Sequence, residues 1–286
     1  MATILFDGIA YGMLLFLISV GLSVTLGMMG FINLAHGVFA MIGGYLLVTF
    51  TGKAGLSFFL ALPLIFLATA AFSLVLEGSL YRQLYRSTHL KQVLLTVGII
   101  LVAVAAATYA FGPAQQPVQL PEVLAGQVVV LGAELSRYKL FLIAVGIAVT
   151  LALVFGLERT RFGARIRASV DRQSTAEAMG IHVGRVFQLT LAIGSGLAGL
   201  GGALGVNILG LDPHFPLKTL VYFLLVVVVG GAGSIPGTLL AAMVLGIADT
   251  AGKYYLPEVG AFIIYAAMIA LLLAFPHGLL GRRRLA

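Results

Sequence analysis

Long apolar segments alternate with short polar or glycine-rich connections along the whole chain. Several segments approach the roughly 20 residues that a helix needs to cross a hydrocarbon core of about 30 Å, whereas strands of a membrane barrel alternate over about 10 residues. The pattern predicts an all-α polytopic membrane protein with about 8–9 transmembrane segments, some of them broken or re-entrant. The predicted segments are residues 4–29, 37–50, 55–76, 91–111, 138–157, 186–211, 218–230, 237–251 and 261–279.

The last third of the chain contains an apolar stretch that is too long for one spanning helix. Residues 218–251 as a single helix would extend about 51 Å at about 1.5 Å per residue, which a modest tilt does not accommodate. The sequence GGAGSIPG interrupts this stretch with flexible glycines and with a proline that lacks a backbone donor. It therefore predicts a break in the helix at Gly230, Gly231, Gly233, Ser234 and Pro236.

A second interruption, GFINLAHG, lies between the first two apolar segments. Irregular backbone at membrane depth is tolerated only where protein or a water-filled cavity satisfies it, and paired interruptions in two halves of a chain are typical of transport pathways. Both breaks are therefore predicted to border a translocation path. The predicted residues here are Asn33, Ala35, His36 and Gly37, with Asn33 and His36 holding the backbone in shape rather than contacting solute.

Composition and charge place the chain in a membrane. It is 60% hydrophobic and only 9% charged, and its mean hydropathy is +1.10. Most of the 17 lysines and arginines fall in three connections, residues 77–91, 158–185 and 281–286, which should therefore be cytoplasmic. Crossing parity then places the N-terminus outside and the C-terminus in the cytoplasm. The net charge of +7 thus indicates membrane topology and contact with lipid, not nucleic acid.

The predicted organisation is a single transmembrane domain, residues 1–286. A first half, 1–111, is followed by an outside loop, 112–137, and a second half, 138–286, that carries a cytoplasmic loop, 158–185. The outside loop has three prolines followed by an apolar run, which predicts a short hairpin. It is either a connector or a contact surface for an extracytoplasmic partner.

The cytoplasmic loop contains a predicted short helix. Ser174 and Glu177 fit a capping box, and Gly180 suits the left-handed position that ends a helix. Because so short a helix is marginal alone, it is expected to dock on another surface, the alternative being a charged turn that only fixes topology. Arg165 and Arg167 suit either an acidic protein surface or anionic lipid headgroups.

Enzymatic motifs are absent from the sequence. There are no cysteines, no nucleotide-binding P-loop and no HExxH or GxSxG motif, so no metal site or cofactor is predicted and any use of ATP must come from another chain. Gly194, Gly196 and Gly199 match the dinucleotide pattern GxGxxG, but they lie inside an apolar helix. Small residues there favour close helix packing.

Tyrosines near segment ends are predicted to serve as interfacial anchors, because the chain has no tryptophan. They are Tyr81, Tyr85, Tyr138, Tyr222, Tyr254 and Tyr255.

Four motifs in their order along the chain resemble the shorter permease subunit of branched-chain amino acid ABC transporters. They are GFINLAHG, TRFGARIRASVDRQSTAEAMGIHVGRV, GGAGSIPGTLLAA and FPHGLLGR. LEGSLYRQLYR is similar to that family's Glu-x-x-x-Tyr-Arg segment. The resemblance covers nearly the whole chain.

This resemblance implies an inner-membrane importer subunit for branched-chain or other small neutral amino acids and related solutes. Its implied partners are a second homologous permease, two cytoplasmic ATPase subunits that bind ATP, and a soluble binding protein. Ser174, Ala176, Glu177, Ala178 and Gly180 match the family's coupling helix, which inserts into an ATPase groove.

Two other classes remain open at the level of sequence. An ion-gradient-driven secondary transporter also uses broken helices, although Asp7, Glu77 and Asp249 fall near segment ends rather than mid-span. A membrane assembly or scaffold protein would account for the apolar bulk but not for two separate breaks.

Overall fold

The computed structural model describes residues 1–29, 31, 33–84, 87–130, 133–276 and 278–280. This part of the chain contains eleven α-helices, a π-helix at Thr49–Lys53, a 3₁₀ turn at Tyr81–Gln83 and one β-hairpin. The helices are α1 Ala2–Met29, α2 His36–Val48, α3 Phe58–Ser79, α4 His89–Phe111, α5 Arg137–Glu158, α6 Arg161–Asp171, α7 Gln173–Ala178, α8 Val183–Leu209, α9 Phe215–Gly230, α10 Ile235–Tyr255 and α11 Gly260–Ala274.

Each of the nine predicted apolar segments corresponds to one helix, so the prediction of an all-α polytopic membrane protein is confirmed. Six described helices, α1, α3, α4, α5, α8 and α10, are long and apolar enough to cross a membrane, while α9 and an apolar stretch within α11 are shorter. The predicted break inside residues 218–251 is present between α9 and α10.

The centre of the bundle is formed by α1 and α8, which are the most buried of the six long helices. Their backbones approach closely because glycines face each other: a Cβ at Gly21 would overlap the Gly194 backbone. Likewise, α2 crosses α8 where a Cβ at Gly43 would overlap the Gly199 carbonyl and one at Gly202 would overlap the Ala40 carbonyl. The predicted small-residue packing of the α8 glycines is therefore confirmed.

The predicted outside loop forms the expected hairpin. Strand β1, Gln127–Val130, pairs antiparallel with β2, Ala133–Ser136. In the same loop, before the hairpin, the backbone amide of Gln116 donates to the Leu211 carbonyl at 2.8 Å. The loop is therefore attached to the connection between α8 and α9.

Two of the predicted interfacial tyrosines are instead buried. Tyr81 is fully enclosed and Tyr138 is 4% exposed, and the Tyr138 hydroxyl donates to the Leu204 carbonyl in α8. The interfacial prediction was therefore wrong for both, because each ring fills space inside the bundle and its hydroxyl has a protein acceptor. Tyr254 and Tyr255 are exposed, in agreement with the prediction. Tyr85, Arg86 and the arginines at 282–284 lie outside the described residues.

Candidate translocation site and cytoplasmic segment

The first predicted break lies between α1 and α2, and among its described residues Phe31, Asn33, Ala35 and His36 are buried. α1 ends at Met29 and α2 begins at His36, with Ala35 as its N-cap residue. The His36 Nε2 atom lies 2.9 Å from the Ile18 carbonyl oxygen in α1, and because a carbonyl only accepts, Nε2 carries the proton. Gly37 packs against the Pro216 backbone at the start of α9. His36 therefore fixes the direction in which α2 leaves α1.

Asn33 is held by a tyrosine from another helix. The Tyr81 hydroxyl, in the short 3₁₀ turn Tyr81–Gln83 after α3, donates to the Asn33 Oδ1 at 3.4 Å, and the Tyr81 ring packs 5.2 Å from the Phe31 ring. Burial raises the pKa of the Tyr81 hydroxyl, so this group stays a neutral donor. Tyr81 is a site residue that the sequence analysis had placed at the membrane surface.

The second break has the backbone that its glycines predicted. Gly231 and Gly233 adopt left-handed φ angles of +87° and +86°, which favour glycine. The Ser234 hydroxyl caps α10 by accepting from the Gly237 amide at 3.1 Å, and Pro236 lies in the first turn, where no donor is required. A Cβ at Gly230 would collide with Gly237 and Thr238, so the two helix ends pack directly on each other.

Both breaks are attached to one stretch of α1, residues 18–27, here named the α1 anchor. His36 bonds to Ile18 at one end of the anchor. At the other end, the Gly233 amide donates to the Ser23 carbonyl at 2.9 Å, and the Ser23 and Thr238 hydroxyl oxygens lie 2.7 Å apart. A Cβ at Gly27 would overlap Gly233. The sequence analysis missed Ser23, whose only signal was a hydroxyl within an apolar run.

We expect His36→Leu to lower the free energy of unfolding by about 1 kcal/mol, the usual net value of one buried hydrogen bond. His36→Gln should lose less, because its side-chain amide can still donate to Ile18. Thermal unfolding of both purified variants in detergent tests this. Equal loss in both would show that the bond to Ile18 does not matter, and a changed KM for transported solute in His36→Gln would contradict a structural role.

The loop predicted to be cytoplasmic contains two helices where one was predicted. The Thr160 hydroxyl caps α6 by accepting from the Gly163 amide at 3.2 Å. The predicted capping box at Ser174 is wrong: α7 begins at Gln173, its N-cap residue is Arg172, and no side chain caps it. The chain reaches α7 directly from α6, so Ser174 lies inside the helix and is exposed.

Residues 161–178 and the turn that follows them are here named the α6–α7 segment. Most of the predicted coupling residues lie on its exposed surface. Ala176 is buried, whereas Glu177, Ala178 and Arg165 are exposed. Gly180 has the predicted left-handed conformation, with φ of +80°. Next to it, Met179 is 79% exposed, a residue that the sequence analysis did not select.

Arg167 faces inward instead. It is half-buried, and its guanidinium donates to the Leu157 carbonyl near the end of α5. A Cβ at Gly163 would overlap the same carbonyl, so α6 is fixed closely against α5.

Two carboxylates predicted near segment ends do lie near helix ends, but they are buried. Glu77 is 1% exposed and Asp249 is 2% exposed. The Gln188 side-chain amide of α8 donates to the Glu77 Oε2 at 2.7 Å. Asp249 pairs with Lys253, whose Nζ lies 2.6 Å from the Asp249 Oδ2. Asp7 is part-exposed and pairs with Lys139 at 2.8 Å.

An apolar helical bundle with two interrupted helices is an arrangement found in many membrane transport proteins. Comparison with known proteins gives the same class. A family model described as the permease component of branched-chain amino acid transport systems matches residues 4–272. The chain therefore belongs to this family, and the resemblance noted in its motifs is confirmed.

Individual relatives align over almost the full length of the chain. The high-affinity branched-chain amino acid transport system permease protein LivH of Escherichia coli K12 is 29% identical over 97% of this chain and 94% of its own. BraD of Pseudomonas aeruginosa, named as a permease of the same kind of system, is 27% identical over 97% and 95%. A probable LivH permease of Methanocaldococcus jannaschii is 28% identical over 97% and 92%. No solved structure matches the chain.

Proposed function

We propose that this chain is the membrane-spanning permease subunit of an ATP-driven importer of branched-chain amino acids or related small neutral solutes. The observation that carries the proposal is the family match across residues 4–272. The chain supplies the translocation path, and ATP is bound by separate subunits. The whole chain acts as one permease domain.

The partners are a second homologous permease, two cytoplasmic ATPase subunits and a soluble binding protein that delivers the solute outside. The N-terminus faces outward and the C-terminus lies in the cytoplasm of a bacterial-type inner membrane. The basic residues of the α6–α7 segment support this orientation, since positively charged connections stay on the cytoplasmic side.

Coupling runs through the α6–α7 segment. The ATPase subunits bind its exposed surface, which includes Ala178 and Met179. Because Arg167 and Gly163 fix α6 to α5, and α7 contacts α8, movement of this segment shifts two spanning helices together. That shift switches the bundle between outward and inward access through differential contacts in the two states.

The translocation path runs beside the two breaks. The first break is held on the α1 anchor by the His36 side chain and the second by the Gly233 backbone amide, so the path can change shape there without unfolding a regular helix. Asn33 and His36 keep their structural roles, because both are buried and each bonds to a protein partner.

Uptake by proteoliposomes tests the function. Proteoliposomes that contain the chain, its partner permease and the ATPases should accumulate labelled leucine. They should do so only when ATP and the binding protein are supplied on opposite sides of the membrane. The chain alone under an ion gradient should accumulate none. Uptake by the chain alone that ATP and ATPases do not change would overturn the proposal and indicate a secondary transporter.

A further inference from the structure

A compact polar cluster lies where α1, α9, α10 and α11 meet. Its members are Tyr11 of α1, Tyr222 of α9, Asp249 and Lys253 of α10, and Tyr265 of α11. The α1 anchor and the two breaks do not include any of these residues. The cluster is therefore unexplained by the contacts that hold the breaks in shape.

Asp249 is the centre of this cluster and is only partly satisfied. Its side chain is 2% exposed, and one oxygen, Oδ2, pairs with the Lys253 ammonium at 2.6 Å. The other oxygen, Oδ1, is buried and has no hydrogen-bond partner within the described part of the chain. A buried carboxylate oxygen without a donor is costly, so this position favours a ligand that donates hydrogen bonds.

The surrounding tyrosines favour a positively charged ligand. The Lys253 Nζ lies 5.6 Å from the centroid of the Tyr11 ring, within the range of a cation–π contact. The Tyr222 and Tyr265 rings pack 6.4 Å apart, and Tyr11 and Tyr222 lie near the Asp249 carboxylate. A carboxylate beside aromatic rings is the chemistry that binds an ammonium group.

We propose that Asp249 and its three tyrosines form a binding site for a primary ammonium group, and that Lys253 fills this site in the present conformation. The ligand is the α-ammonium group of the transported amino acid, an identification that rests on the proposed function. Lys253 is a tethered competitor that the solute displaces.

The geometry of Lys253 suits displacement. Its side chain is 53% exposed although its partner is buried, so it reaches the carboxylate from outside the cluster. Its ammonium is a point charge on a flexible stem and can swing away, whereas Asp249 is buried. Displacement exchanges one ammonium for another, so the buried negative charge stays compensated.

Calorimetric titration of the purified full-length chain in detergent tests the site. The probe is isopentylammonium, which has the branched carbon skeleton of leucine and an ammonium but no carboxylate, and isovalerate is the control without the ammonium. Lys253→Met should bind isopentylammonium and leucine about 10-fold or more tightly than the unmodified chain, because a tethered group competes at an effective concentration near millimolar. Isovalerate should not bind.

Asp249→Asn in the Lys253→Met background should abolish binding of both isopentylammonium and leucine. Tyr254→Phe in the same background changes an exposed neighbouring tyrosine and should leave the binding of both ligands unchanged. Elution volume and circular dichroism confirm that each variant is folded. The proposed site would be overturned if Lys253→Met did not bind isopentylammonium more tightly than the unmodified chain. It would also be overturned if this binding survived Asp249→Asn.

A chemical version of this test changes the side chain only after the chain has folded. The modification is specific to position 253, because the sequence contains no other cysteine. Lys253→Cys can be folded first and then modified with either an aminoethyl or a methyl methanethiosulfonate. The aminoethyl product restores an ammonium and should suppress isopentylammonium binding, whereas the methyl product should not. Equal binding by both products would overturn the role of Lys253. Failure of ATP-dependent leucine uptake would instead count against the proposed function, because these titrations require no ATPase.

Discussion

Replacing Ala178 and Met179 together by aspartate should weaken binding of the ATPase subunits by about 1,000-fold. Both side chains are exposed on the α6–α7 segment, on the side that faces away from the bundle. Each aspartate would therefore bring an unpaired charge into the proposed interface. Loss of about 2 kcal/mol at each of two central interface residues amounts to about 4 kcal/mol, which corresponds to this change in Kd. Co-purification of tagged ATPase with the permease, followed by a binding titration, measures the effect.

Val123→Asp is the matched control for this experiment. Val123 is also exposed and apolar, with 70% of its surface accessible, but it lies in the loop on the predicted outer side. This variant should retain ATPase binding. If the double variant keeps its ATPase, the α6–α7 segment is not the coupling site.

Gly43→Ala should lower the free energy of unfolding by about 3 kcal/mol or more. A Cβ at this position would overlap the Gly199 backbone where α2 crosses α8, and a helix backbone cannot yield as a flexible side chain can. The helices would have to separate, and the close contact between α2 and the centre of the bundle would be lost. Thermal unfolding in detergent, followed by circular dichroism, measures the loss.

Gly98→Ala is the corresponding control within an apolar helix. Gly98 lies in α4, and a Cβ there would meet nothing within 4 Å. The substitution should leave the unfolding midpoint unchanged or raise it slightly, since alanine favours helix by up to about 1 kcal/mol. A similar loss at both positions would show that Gly43 is not required for close approach.

The sequence predicted the helical segments and both breaks because these depend on local properties. Apolar length identifies a helix, and the glycines and proline of GGAGSIPG identify its interruption without knowledge of any neighbour. Gly180 was also predicted correctly, because a left-handed position is a property of the backbone itself.

What the sequence did not predict depends on neighbours that are distant along the chain. Tyr81 looked interfacial because it follows a spanning segment, yet its partner Asn33 is 48 residues away. Glu77 and Asp249 were placed correctly near helix ends, but their burial depends on which helices surround them. The capping box at Ser174 failed because α6 continues almost directly into α7 and supplies the preceding backbone.

The α1 anchor has a consequence for biosynthesis. Ser23 is translated well before the Gly233 and Thr238 groups that bond to it, which follow 210 and 215 residues later along the chain. Until α10 has been translated, the Ser23 hydroxyl lacks these native partners. A nascent chain that ends before α10 therefore has the α1 anchor without the hydrogen bonds that later fix the second break to it.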